Sequence, residues 1–146
     1  MLNPIIQFKE NNLKEEFEKI DKRLQFIIYA LAGFIYSNFG KSIVLTELFR
    51  TQEQQDKYYS NNPAYLLNPW KSVHQYGRGA DISAKYLTPE ELTSISKFIN
   101  SIVKYSSFNE KDTLITHDIG FGNHIHIQTD PSSMTILVLK PAHNHA

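Results

Sequence analysis

The chain has 146 residues with 15 basic and 15 acidic side chains and a formal charge of zero, which argues against a general electrostatic attraction to nucleic acid or to an anionic bilayer. It contains no cysteine, so disulfides, thiolate nucleophiles and thiolate metal ligands are excluded together, and histidine and carboxylate remain as the strong metal ligands. The length suits one compact domain, 1–146, able to bury roughly two thirds of its unfolded surface, and a monomer is expected.

The N-terminal stretch MLNPIIQFKENN lacks a basic segment ahead of an apolar core, so no secretory signal is expected. Leu13, Phe17, Ile20, Leu24, Ile27, Leu31 and Phe34 follow at steps of four and three, which predicts one long amphipathic helix over about 12–39, ending near Gly40. Its most apolar part, Phe26 to Tyr36, falls well short of the roughly 20 residues that span a bilayer, so no membrane partner is expected. SIVLTELF, Ser42 to Phe49, reads as a buried strand. Thr51 with Gln54 three positions on forms a capping box ahead of a short helix. SNNPAYLLNPWKS, with two Asn-Pro breaks, reads as a surface loop. ADIS is a short strand, and Thr88, Pro89 and Glu91 supply cap, first-turn proline and capping-box acid for a helix carrying Leu92, Ile95, Phe98, Ile99 and Ile102. DTLITHD and NHIHIQT read as adjacent strands around the turn IGFG, and MTILVLK as a last strand before a polar tail, 140–146, that holds His143 and His145. The order predicts an α+β domain with a mostly antiparallel central sheet and flanking helices, its site-bearing core at about 42–139.

Chemistry concentrates in two places. In NHIHIQ, alternation puts His124 and His126 on one strand face and Ile125 and Ile127 on the other. Such a pair either ligates one metal, or ligates with one ring and moves protons with the other, or is an incidental polar face. In SVHQYGRGADI, seven residues separate His74 from Asp81, and Gly77 and Gly79 between them allow a bend sharp enough for both side chains to converge; the alternative is a loop whose aspartate caps a turn. Two imidazoles and one carboxylate form a ligand class used by hydrolytic zinc sites that keep one position for water.

Ser72, His74, Gly77 and Asp81 match the S-x-H-x-x-G-x-A-x-D signature of the zinc D-alanyl-D-alanine carboxypeptidase and L-alanyl-D-glutamate endopeptidase family, which includes phage endolysins and has the lysostaphin-type peptidases and the hedgehog domain as distant relatives. TELFRTQEQQ resembles the family's T-S-G-Y-R-T-x-E-E-Q, with Arg50 at the arginine, and HIQ, His126 to Gln128, resembles its third motif. The resemblance runs in order from about Thr46 to Gln128. It implies that His74, Asp81 and His126 bind one zinc ion, that Arg50 reaches a substrate carboxylate or a polarised carbonyl, and that Ser72 supports the site. For Arg50 a surface salt bridge is the plainer reading.

Two positions depart from the pattern. Gly79 stands where alanine is usual, an exchange expected to cost little beyond backbone entropy. Asn123 stands where the family places a general-base Glu or Asp, and an amide cannot take that proton. By analogy with the lysostaphin-type branch His124 is the first replacement, Asp118 or His117 the second, and a chain without a base the third. The aromatics Tyr58, Tyr59, Tyr65, Trp70 and Tyr76 flank this region and either line a substrate groove or pack inward. What the resemblance implies is a zinc metallopeptidase of peptidoglycan stem peptide or muropeptide, made in the cytoplasm and acting on the wall if released or carried by a virion. The alternative is a wall-binding or phage structural module that kept zinc and lost turnover.

Overall fold

The computed structural model describes residues 4–105, 112–118, 123–129 and 138–139. The IGFG turn and the tail with His143 and His145 lie outside them, as does most of MTILVLK apart from Val138–Leu139. The elements are β1 (Ile6–Phe8), α1 (Asn12–Lys19), α2 (Lys22–Phe39), β2 (Ile43–Glu47), α3 (Gln52–Tyr58), α4 (Pro63–Leu67), a 3-10 turn (Val73–Tyr76), β3 (Gly79–Ser83), α5 (Pro89–Ile102), β4 (Val103–Lys104), β5 (Leu114–Asp118), β6 (Asn123–Gln128) and β7 (Val138–Leu139).

The domain is α+β around a five-stranded mixed sheet of order β1-β2-β3-β6-β5. The β2–β3, β3–β6 and β5–β6 ladders are antiparallel, and β1 lies parallel to β2. A separate antiparallel pair joins β4 to β7. Strand β1 has no counterpart in the sequence reading, because three residues are too short a run for alternation to register.

Alternation along β3 and β6 sends Ala80, Ile82, Ile125 and Ile127 to one face, where all four are fully buried in a cluster with Leu24, Ile27, Ile28, Leu31 and Ile35 of α2 and Ile95 and Ile99 of α5. Burial of that many branched side chains, each contributing about 1.5–3 kcal/mol, anchors both helices on this face. The opposite face is left for polar side chains.

The single helix expected over 12–39 is two helices. Ile20 turns extended (ψ 168°), and Asp21 caps α2 by accepting the Arg23 N–H at 2.8 Å, while its backbone N–H donates to Gly77 O at 3.0 Å. An unbroken helix would spend that N–H on its own ladder. The apolar spacing carries across the break, which is why periodicity alone does not reveal it. Gly40 closes α2 in the left-handed conformation (φ 66°). The surface loop expected over 60–72 contains α4: Asn62 accepts the Tyr65 N–H at 3.0 Å and Pro63 takes the first helical position, so the first Asn-Pro pair is a helix start. The capping boxes at Thr51 and Thr88 form as expected.

Candidate metal centre

The polar face of the sheet is organised by register. Asp81 of β3 lies directly opposite His126 of β6, and Ser83 opposite His124. Cross-strand partners share a face, so Asp81, His124 and His126 come together. The third group arrives from the turn. Ser72 Oγ accepts the His74 N–H at 3.2 Å, Gln75 Oε1 accepts the Ser72 N–H at 3.0 Å, and Gly77 closes the turn at φ 68°, a conformation that favours glycine. Strand β3 starts immediately afterwards. His74 is thereby folded back over Asp81.

His74 Nε2 lies 3.4 Å from Asp81 Oδ2, and His126 Nδ1 lies 2.9 Å from Asp81 Oδ1. The ligand atoms of His74, Asp81 and His126 all fall within 4.8 Å of one another. Tetrahedral ligands about 2.0–2.1 Å from a zinc ion would be separated by about 3.3 Å, so the donor set is close to the spacing that one cation needs. The tautomer of His74 also fits. Its Nδ1 lies 3.0 Å from the Leu48 carbonyl, which can only accept, so Nδ1 carries the proton. A neutral His74 then turns the Nε2 lone pair toward a carboxylate oxygen, an arrangement that is favourable only with a proton or a metal ion between them. The group His74, Asp81 and His126 can therefore hold a metal ion.

The electrostatics of the centre agree. Burial opposes the charge on Asp81, but hydrogen bonds from His126 and His74 and their charge outweigh it and hold the carboxyl well below the usual carboxylate range. Burial likewise favours neutral His74, yet the hydrogen bond and charge of Asp81, with smaller help from Glu47 and Leu48, push it above the ordinary imidazole value. Without metal the centre is a carboxylate that recruits a proton onto His74.

The remaining expected residues fall in different places. His124 Nε2 is 3.9 Å from Asp81 Oδ1, beside the donor set. In the β5–β6 register His117 is opposite His124 and Asp118 opposite Asn123, so the position of His117 belongs to the site face and that of Asp118 to the face of Ile125 and Ile127. Arg50 is buried, not a surface residue as the plainer reading had it. Its Nε donates to Glu47 Oε1 at 2.6 Å, its Nη1 to Gln55 Oε1 at 2.7 Å, and its guanidinium sits 4.7 Å over Tyr58. Its backbone N–H donates to His74 O at 3.2 Å. Glu47 escaped the sequence reading, and Gln55, the last residue of TELFRTQEQQ, stood there as a motif position and not as a partner of Arg50. The only signal for Glu47 was its i,i+3 spacing to Arg50, and nothing announced the Leu48 carbonyl.

Compared with family models, with curated proteins and with solved structures, the chain gives no match.

The aromatics divide. Tyr59, Tyr65 and Trp70 pack on one another at centroid distances of 4.9–5.2 Å, with the Tyr65 hydroxyl donating to Asp56 Oδ1 at 2.7 Å. Tyr58 and Tyr76 stay exposed, each beneath an arginine. Gly79 departs from the small-for-small expectation. A Cβ there would stand 2.6 Å from Val73 Cγ2, 3.3 Å from His74 N and 3.4 Å from His126 Cε1. No described helix is long and apolar enough to cross a membrane.

Proposed function

We propose that the protein is a zinc metallopeptidase that hydrolyses an amide bond in the peptide of bacterial peptidoglycan, as a D-alanyl-D-alanine carboxypeptidase or an L-alanyl-D-glutamate endopeptidase with a fold of the hedgehog and D-alanyl-D-alanine peptidase kind. The observation that carries this reading is the convergence of His74 Nε2 and His126 Nδ1 on the two oxygens of Asp81, with His124 Nε2 next to the same carboxylate. The motif order along the chain supports the substrate class.

His74, Asp81 and His126 would hold the ion. When bound, zinc supplies a Lewis acid for a carbonyl oxygen and lowers the pKa of a coordinated water to about 7. His124 accepts a proton from the attacking water and returns it to the leaving amine nitrogen. Arg50, fixed by Glu47 and Gln55, donates to an oxygen of the substrate as charge develops there. The Leu48 carbonyl keeps His74 in the tautomer that leaves Nε2 for the ion. Action on the wall would follow release in the manner of a phage lysin, or carriage by a virion.

One observation favours a second reading, a zinc-containing wall-binding or structural module: an amide, Asn123, stands where the family has its acid. Zinc content and release of new amines from peptidoglycan, measured for wild type and His124→Ala, separate the two. A peptidase releases amines and loses roughly 10²- to 10⁴-fold in rate in His124→Ala with zinc retained. Stoichiometric zinc with no amine release from the wild type overturns the peptidase reading.

A further inference from the structure

A cleft of about 340 Å³ opens between β2, α1 and α3, lined by Glu10, Glu16, Thr46, Glu47, Arg50 and Tyr58 among others. It adjoins the metal centre. Thr46 Oγ1 donates to Asp81 O at 3.2 Å, Glu47 is the β2 partner of Asp81, and Arg50 is tied through its backbone to His74. Among the described residues that line it, Arg50 is the one cation against three carboxylates. Its charge is already committed. Glu47 sits on Nε, and Gln55 holds Nη1 while spending its own amide on Trp70 O at 3.3 Å, so the guanidinium cannot swing away from Glu47 without unpairing a fully buried amide.

A free substrate carboxylate entering this cleft would meet a guanidinium neutralised by Glu47, with Glu10 and Glu16 adding repulsion. A neutral carbonyl needs only one N–H donor, and the described residues leave Nη2 of Arg50 without a hydrogen bond. Resting on the peptidase reading, we propose that Glu47 is a specificity-determining residue: paired with Arg50, it makes the cleft accept a chain-internal carbonyl and reject a terminal carboxylate, so that the bond cut is internal to the peptide. Recognition of a C-terminal residue would require the opposite balance, an arginine with charge to spare. Gln55 is a positioning residue for the same guanidinium.

The test pairs a pentapeptide stem as its free acid with the same stem as its C-terminal amide. Each is titrated calorimetrically into the zinc-loaded full chain, and cleavage is followed separately by mass spectrometry. The amide should bind roughly tenfold more tightly at low salt, with the gap shrinking as salt screens the carboxylates. Glu47→Gln, which keeps an acceptor for Nε, should close most of that gap by improving the free acid. Glu10→Gln, at an exposed position, should move the ratio the same way by a smaller factor. Equal or tighter binding of the free acid by the wild type, an unchanged ratio in both variants, or no binding of either peptide overturns the assignment. Binding in the expected order without cleavage counts against the peptidase reading and leaves the cleft's preference standing.

Discussion

Gly79→Ala tests the construction of the centre most directly. Glycine in a strand is less favourable than alanine by roughly 0.5–1 kcal/mol, and φ at Gly79 is not in the left-handed region, so on backbone grounds alone the exchange should stabilise. Packing reverses the sign. The new Cβ would lie 2.6 Å from Val73 Cγ2, about 1 Å inside an ordinary carbon contact. Val73 is β-branched and stiff, and it starts the turn that carries His74. Overpacking of this kind costs about 1–3 kcal/mol, leaving a net destabilisation of about 0.5–2 kcal/mol. The larger effect should fall on metal binding. Relief of the clash moves the His74 backbone or the His126 ring, which lie 3.3 and 3.4 Å from the added carbon, and it strains the 3.0 Å contact of His74 Nδ1 with Leu48 O. Disturbed support of ligands typically loses about 10- to 100-fold in affinity. Zinc affinity measured against a chromophoric chelator, beside urea denaturation of the metal-free protein, reads both terms. The double variant Val73→Ala/Gly79→Ala removes the short contact and should recover most of the affinity. A Gly79→Ala protein that is more stable than wild type and binds zinc unchanged would refute the reasoning.

Three further outcomes follow from the same geometry. In the metal-free protein His74 has a raised pKa, so its contribution is complete below the unfolded value of 6.5 and is lost as pH rises through the folded one; Asp81 is depressed, so its contribution is present above 3.8 and is lost as pH falls. Denaturation midpoints of the metal-free protein should therefore peak between those two values. On the proposed ligand set zinc must displace the His74 proton, so its apparent affinity should already be falling as pH drops toward 6.5, and the zinc-induced rise in midpoint should shrink with it. A zinc effect independent of pH between 6 and 8 would contradict the assigned ligand. Asp21→Ala removes a helix cap and the fork that accepts Arg23 Nε at 3.0 Å and Nη2 at 2.9 Å, and should lower stability by about 1–2 kcal/mol in denaturant titrations. Because Asp21 N–H also holds Gly77 O, the same variant should show faster amide exchange in the turn that carries His74, and unchanged exchange there would detach the helix break from the centre.

Much of this molecule was written in short-range pattern. Thr51, Thr88 and Gly40 mark helix ends because caps satisfy backbone groups within a few residues, and alternation in NHIHIQ places both imidazoles on one face because a strand's side-chain period is two. The convergence of His74 and Asp81 rests locally on Gly77, which closes the turn, and on the Ser72 and Gln75 cap. Other features depended on partners far away in the chain. The break at Ile20 exists because Asp21 N–H finds Gly77 O, β1 exists because β2 offers it a parallel edge, and the tautomer of His74 is set by a carbonyl whose residue type is irrelevant. Arg50 could be named from its motif, but its environment could not, since Glu47, Gln55 and Tyr58 meet it only once β2 and α3 are packed. Local sequence determined which groups this protein could bring to a metal. The tertiary fold decided which oxygen faces which nitrogen, because register and long-range hydrogen bonds are set by the whole sheet and by no single segment of it.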